Sequence, residues 1–168
     1  MTVITPELLS RFDVPGPRYT SYPTADRFVE SFGEADYIQA LTRRQSGSVG
    51  KKPPLSLYVH IPFCESLCYY CACNKIITKH KEQASTYLHY LSQEVALHTR
   101  HLGRGQAVSQ LHLGGATPTF LNDAQLRQLM AMLRENFEFA PGGEYSVEVD
   151  PRTVDESRLA VLAELGFN

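Results

Sequence analysis

The stretch Leu55–Cys73, LSLYVHIPFCESLCYYCAC, contains a strand pattern and every cysteine of the chain. Its first part, LSLYVHIP, is a short β-branched and aromatic run, the composition that fits a pleated and partly buried surface. Pro62 ends it, because proline has no N–H to give to a ladder. The four thiols follow at once, Cys64, Cys68, Cys71 and Cys73, in C-x3-C-x2-C-x-C spacing, with His60, His80 and His112 not far off in sequence. A strand that empties directly into a thiol-rich loop puts reactive groups at its C-terminal end.

Outward from this stretch the chain repeats the same grammar. An amphipathic segment from about Glu82 to Leu102 carries Tyr87, Leu88, Leu91 and Val95 at helical spacing. SQLHLGG (109–115) reads as a second strand. Asn122 then stands as an N-cap with Gln125 three residues on, and Leu126, Leu129, Met130, Leu133 and Phe137 form one helix face. EYSVEVDP (144–151) reads as a third strand, and a helix from about Asp155 to Leu165 stops at Gly166. Three strand–helix units in a row predict an α/β fold with a parallel sheet, whose chemistry gathers at the C-terminal ends of the strands.

Toward the N-terminus, Thr5-Pro6-Glu7 predicts a short helix to about Phe12. DVPGPRYTSYPTA is bounded by prolines and reads as extended or turn-rich, and a second helix is expected from about Glu34 to Arg44. QSGSVGKKPP (45–54) is a polar linker. The expected organisation is an N-terminal arm and linker over 1–54 and a strand–helix domain over 55–168.

Composition excludes several functions. With 43% hydrophobic and 20% charged residues the chain can bury a core, and a net charge of -2 offers no basic field for a polyanion. The N-terminal residues lack the pattern of a signal peptide, and no apolar run approaches the ~20 residues needed to span a bilayer. A cytoplasmic protein is expected. Disulfides are rare in that compartment, so clustered cysteines point to a metal or redox centre. Structural zinc favours ligand pairs a dozen or more residues apart, and a redox dithiol could use Cys68-x2-Cys71 without the flanking cysteines. An iron–sulfur cluster suits thiolates from one compact loop.

The Cys64-x3-Cys68-x2-Cys71 motif, with the aromatic Tyr70 before its third cysteine, resembles the signature of radical S-adenosylmethionine (SAM) enzymes. More narrowly, PGPRYTSYPTA, LSLYVHIPFC, CYYCACNK, LHLGGATPTFL and VEVDPR resemble, in order and spacing, the oxygen-independent coproporphyrinogen III oxidases of haem biosynthesis, from about Val14 to Asn168. The resemblance implies a partial (β/α) radical-SAM barrel with about three β-α units. It implies a [4Fe–4S] cluster on Cys64, Cys68 and Cys71, and two SAM molecules. It also implies oxidative decarboxylation of two propionates of coproporphyrinogen III to vinyls, with an electron donor for the cluster and a further electron acceptor. Cys73 is a family marker near the cluster, where the related haem-chaperone branch carries an aromatic.

By the same resemblance Tyr58, Tyr70, Gly115, Ala116, Thr117 and Glu148 lie with SAM, Glu148 at a ribose and Thr117 beside the second SAM. The family segment usually reads G-G-G-T-P; here Ala116 replaces the third glycine, which is tolerable only if its φ is negative. Alternation in EYSVEVDP puts Ser146, Glu148 and Asp150 on one face and Tyr145, Val147 and Val149 on the other, so both carboxylates are expected to face the barrel interior. Arg18, Tyr19 and Tyr22 form a basic, aromatic arm suited to a flat tetracarboxylate macrocycle. The resembled family continues beyond the third helix, so this chain by itself is expected to be inactive and poorly soluble.

Overall fold

The computed structural model describes residues 4–13, 24, 27–46, 52–69 and 71–168. The chain divides into two compact units, Met1–Tyr37 and Ile38–Asn168. In the first, helix α1 (Pro6–Phe12) is capped by Thr5, whose hydroxyl oxygen accepts from the Leu8 N–H at 3.2 Å. Helix α2 (Glu34–Ser46) begins after a turn in which the Asp36 carboxylate accepts from the Gly33 N–H at 2.9 Å.

The second unit is built on a three-stranded parallel sheet in the order β1-β4-β5, comprising β1 (Leu55–Ile61), β4 (Gln106–Gly115) and β5 (Phe137–Val147). Helix α3 (Gln83–Leu102) connects β1 to β4, and α4 (Asp123–Asn136) connects β4 to β5; α5 (Glu156–Glu164) follows. The short strands β2 (Phe63–Cys64) and β3 (Ile76–Ile77) pair with each other. Among the described residues no helix is long and apolar enough to cross a membrane.

Strand alternation decides which face is covered. Val59, Ile61, Val108, Leu111 and Leu113 pack against Leu88, Leu91 and Val95 of α3, Leu126, Leu129, Met130 and Leu133 of α4, and Val161 and Leu162 of α5. Burial of each such aliphatic side chain contributes roughly 1.5–3 kcal/mol. The alternate positions, Tyr58, His60, His112, Ser146 and Glu148, carry polar groups on the opposite face, where Tyr58 is 60% exposed.

Helices α3, α4 and α5 begin and end within two residues of the positions that periodicity and capping predict. Asn122 and Gln125 form the expected reciprocal cap, at 2.9 and 3.0 Å. The third strand differs from expectation. It begins at Phe137, which was expected on the α4 face, and ends at Val147, short of residue 151. Phe137 has extended backbone (φ −132°, ψ 151°) and pairs with Gln106; it stays buried as a strand residue. The register then shifts, and the Tyr145 hydroxyl donates to the Ala140 and Val108 carbonyls across the irregularity. Val149 and Asp150 therefore lie beyond the strand: Val149 is exposed, and the Asp150 carbonyl accepts from the Thr153 N–H in a turn. Asp150 is therefore not a strand residue on the face of Glu148, because the ladder ends first; from the turn beyond it still lines a cavity with Cys64 and Thr117.

Candidate active site at the C-terminal ends of the strands

The cysteine loop is closed at its base by short-range pairing. The Ile76 N–H donates to the Pro62 carbonyl at 2.7 Å and the Thr78 N–H to the Cys64 carbonyl at 2.9 Å, so both ends of the segment between β2 and β3 are fixed. Inside it, the Cys71 N–H donates to the Cys68 carbonyl, and the Lys75 ammonium reaches the carbonyls of Cys71 and Cys73 at 3.2 and 3.4 Å. His60 ties the loop to β1, with Nε2 2.7 Å from the Asn74 carbonyl and Nδ1 3.0 Å from the Tyr58 hydroxyl. The Tyr87 hydroxyl donates to the His60 carbonyl. On the outer side Lys81 pairs with Glu65 at 2.5 Å and stands 3.8 Å above the Phe120 ring, linking the loop to the 3-10 turn Pro118–Phe120.

The glycine segment ends β4 beside this loop. Gly115 has a φ of +113°, and a Cβ on it would meet the Ile61 carbonyl oxygen at 2.7 Å. Glycine is required there by conformation and by close approach to β1. Among the described residues no non-glycine has a positive φ, so Ala116 meets the condition its methyl imposes. The Ala116 N–H donates to Ile61 at 2.9 Å, and Thr117 then places its hydroxyl 3.0 Å from the Cys64 sulfur.

Glu148 lies one residue past β5, its N–H still donating to the Leu113 carbonyl. Its carboxylate accepts from the Gly115 N–H at 3.2 Å and sits 3.5 Å from His112 Nε2, while His112 Nδ1 is 2.7 Å from the Ser146 hydroxyl. The Tyr58 ring stacks on His112 at 5.8 Å. Desolvation, then the Glu148 charge, raises the Tyr58 pKa. The open face thus holds one connected set, Tyr58–His60 and Tyr58–His112–Glu148–Gly115, next to the cysteines.

Beyond β5, Asp150 takes Arg152 through contacts of 2.7 to 3.2 Å, which hold the carboxyl at about 2, well below its ordinary value of 3.8. The Arg152 guanidinium is stabilised chiefly by Asp150. The Cys73 thiol is raised chiefly by its hydrogen bond with Cys71.

Residues 58–168 match the Radical SAM superfamily. The oxygen-independent coproporphyrinogen III oxidase of Pseudomonas aeruginosa is 52% identical over 164 residues, 96% of this chain and 35% of the relative. That of Mannheimia haemolytica is 45% identical over 144 residues, 86% of this chain and 94% of the relative. The chain belongs to the oxygen-independent coproporphyrinogen III oxidase family of radical SAM proteins. A solved structure, coproporphyrinogen III oxidase from Escherichia coli described as a radical SAM enzyme, superposes with a TM-score of 0.80 at 51% identity, over 89% of this chain and 33% of that one. The chain spans about a third of the length of the Pseudomonas relative.

Membership of the radical SAM family implies a [4Fe–4S] cluster and SAM. The donor chemistry fits: Cys64, Cys68 and Cys71 are free thiols, half-buried, on one loop, and thiolate sulfur is the ligand such clusters take. Among the described residues no three cysteine, histidine or acidic side chains are gathered as a ready metal cage. The Cys64 thiol has the Thr117 hydroxyl as its partner.

The structure brings Tyr58, Gly115, Ala116, Thr117 and Glu148 to the cysteine loop. Tyr70, Arg18, Tyr19 and Tyr22 lie outside the described residues. His60 and His112 were noted beside the cysteines, and Ser146 on the face of Glu148, but none was given a role from the sequence; Arg152 was not singled out. For the first three the signal was present, since they occupy the same alternate positions as Tyr58 and Glu148.

Proposed function

We infer that this chain carries the cluster and SAM sites of an oxygen-independent coproporphyrinogen III oxidase, which converts two propionates of coproporphyrinogen III to vinyls and yields protoporphyrinogen IX. The observation that carries this reading is the contact of Cys64, at the base of the cysteine loop, with Thr117, beside the Gly115–Glu148 hydrogen bond at the C-terminal ends of three parallel strands. In parallel α/β sheets that is where ligands and chemistry belong.

Cys64, Cys68 and Cys71 are assigned to the cluster, with Cys73 beside it. When bound, the cluster supplies the electron that cleaves SAM and starts the oxidation. Tyr58, Tyr70, Gly115, Ala116, Thr117 and Glu148 are assigned to SAM. The Glu148 carboxylate, exposed and facing the sheet's polar side, can accept from ribose hydroxyls. A second SAM is placed beside Thr117. Arg18, Tyr19 and Tyr22 are assigned to the substrate, whose four carboxylates suit a guanidinium and whose flat ring suits aromatic faces. An electron donor and a separate acceptor complete the reaction. The cytoplasm suits a loop of free thiols.

Anaerobic reconstitution with iron and sulfide, followed by metal analysis of the wild-type chain and of single serine variants, tests the ligand assignment. About four irons per chain are expected in the wild type and in Cys73→Ser. Cys64→Ser, Cys68→Ser and Cys71→Ser should each lose most of that iron. A colourless protein holding one zinc would replace this reading with a structural metal site.

A further inference from the structure

Thr117 occupies the N-cap position of the 3-10 turn Pro118–Phe120, in extended backbone (φ −154°, ψ 95°), yet its side chain makes no capping bond. A threonine in that place ordinarily turns its oxygen toward the backbone N–H groups of the following turn. Here the Phe120 N–H goes to the Thr117 carbonyl at 2.9 Å, which leaves the hydroxyl for the Cys64 sulfur at 3.0 Å.

Both ends of that contact are anchored. Cys64 is fixed by the Thr78 N–H on its carbonyl, and Thr117 follows Ala116, whose N–H is fixed on Ile61. Once Cys64 is a thiolate its sulfur can only accept, so the hydroxyl must donate. The neighbourhood is arranged in the same sense: the Lys75 ammonium sits on the Cys71 and Cys73 carbonyls. Positive charge and donors face the loop that would carry a negatively charged cluster.

We propose that Thr117 is a positioning residue that donates a hydrogen bond to the Cys64 thiolate and thereby raises the reduction potential of the cluster. This rests on the cluster assignment made above. A donor at a ligand sulfur withdraws charge and favours the reduced, more negative state. A threonine serving only to fill space would be replaced without effect by valine, which keeps the branched shape and removes the donor.

The test compares the wild-type chain with Thr117→Val and Thr117→Ser after anaerobic reconstitution, using redox titration followed by EPR. The valine cluster should titrate at a more negative potential and the serine cluster close to wild type; equal potentials in all three overturn the proposal. Loss of cluster loading in the valine variant with recovery in the serine variant supports the positioning role, whereas loss in both overturns it. Before reconstitution, iodoacetamide labelling of the same chains with peptide mass spectrometry should show an altered rate at Cys64 alone in the valine variant. If the wild-type chain binds no cluster, the functional reading falls, and the redox part of the proposal with it. The labelling then decides the contact, an unchanged Cys64 rate overturning that too.

Discussion

At Gly115 two requirements coincide, a left-handed φ and a carbonyl oxygen where a side chain would begin. Neither follows from the chemistry of SAM, so the glycine is needed to join β4 to β1 before any ligand is considered. Gly115→Ala should lower stability by about 1–3 kcal/mol, the range for a non-glycine residue forced into a sparsely populated backbone conformation. Urea unfolding reads this as a lower midpoint at unchanged slope; a midpoint equal to wild type would show that the segment does not need glycine. The neighbouring Ala116 illustrates the converse, since its φ is not positive and a methyl there carries no backbone strain.

At the scale of elements, much was legible in the sequence because the cues were local. Helices α3 and α4 declare themselves through apolar spacing, and α4 also through the Asn122–Gln125 cap. Phe137 was not legible: its spacing continues the α4 stripe, and only its pairing with Gln106 makes it a strand residue. The β2–β3 pair, two residues each, is too short to leave a pattern. Asp150 was assigned by extending a period of two past Val147, where the ladder has already ended; the Asp-Pro-Arg turn instead lets Arg152 close on its own neighbour. That turn carries a pH prediction. The folded Asp150 carboxyl lies at about 2 against an ordinary 3.8, so its ion pair favours the folded turn above about pH 4 and loses that contribution as pH falls toward 2. Carboxyl NMR should place the Asp150 midpoint near 2 in the wild type and higher in Arg152→Gln; an unshifted midpoint in the wild type would show that Arg152 does not close on Asp150.

On the scale of the whole molecule, the sheet is covered by helices on one face and lined by Tyr58, His60, His112, Ser146 and Glu148 on the other. The fold class and the cysteine loop were legible because strands alternating with helices leave few topologies and because the thiols are dense. The histidines were visible near the cysteines but their roles were not, because a strand histidine has no signature until its neighbours on adjacent strands are known: His112 matters through Ser146 and Glu148, more than thirty residues away. The central claim is that a cluster with one iron free for SAM assembles where the loop meets this face. The direct measurement is the EPR spectrum of the reconstituted, reduced chain with and without SAM. A reduced [4Fe–4S] signal that changes on adding SAM is the predicted result. A signal unaffected by saturating SAM, or no cluster at all where a full-length relative loads under the same conditions, would contradict it.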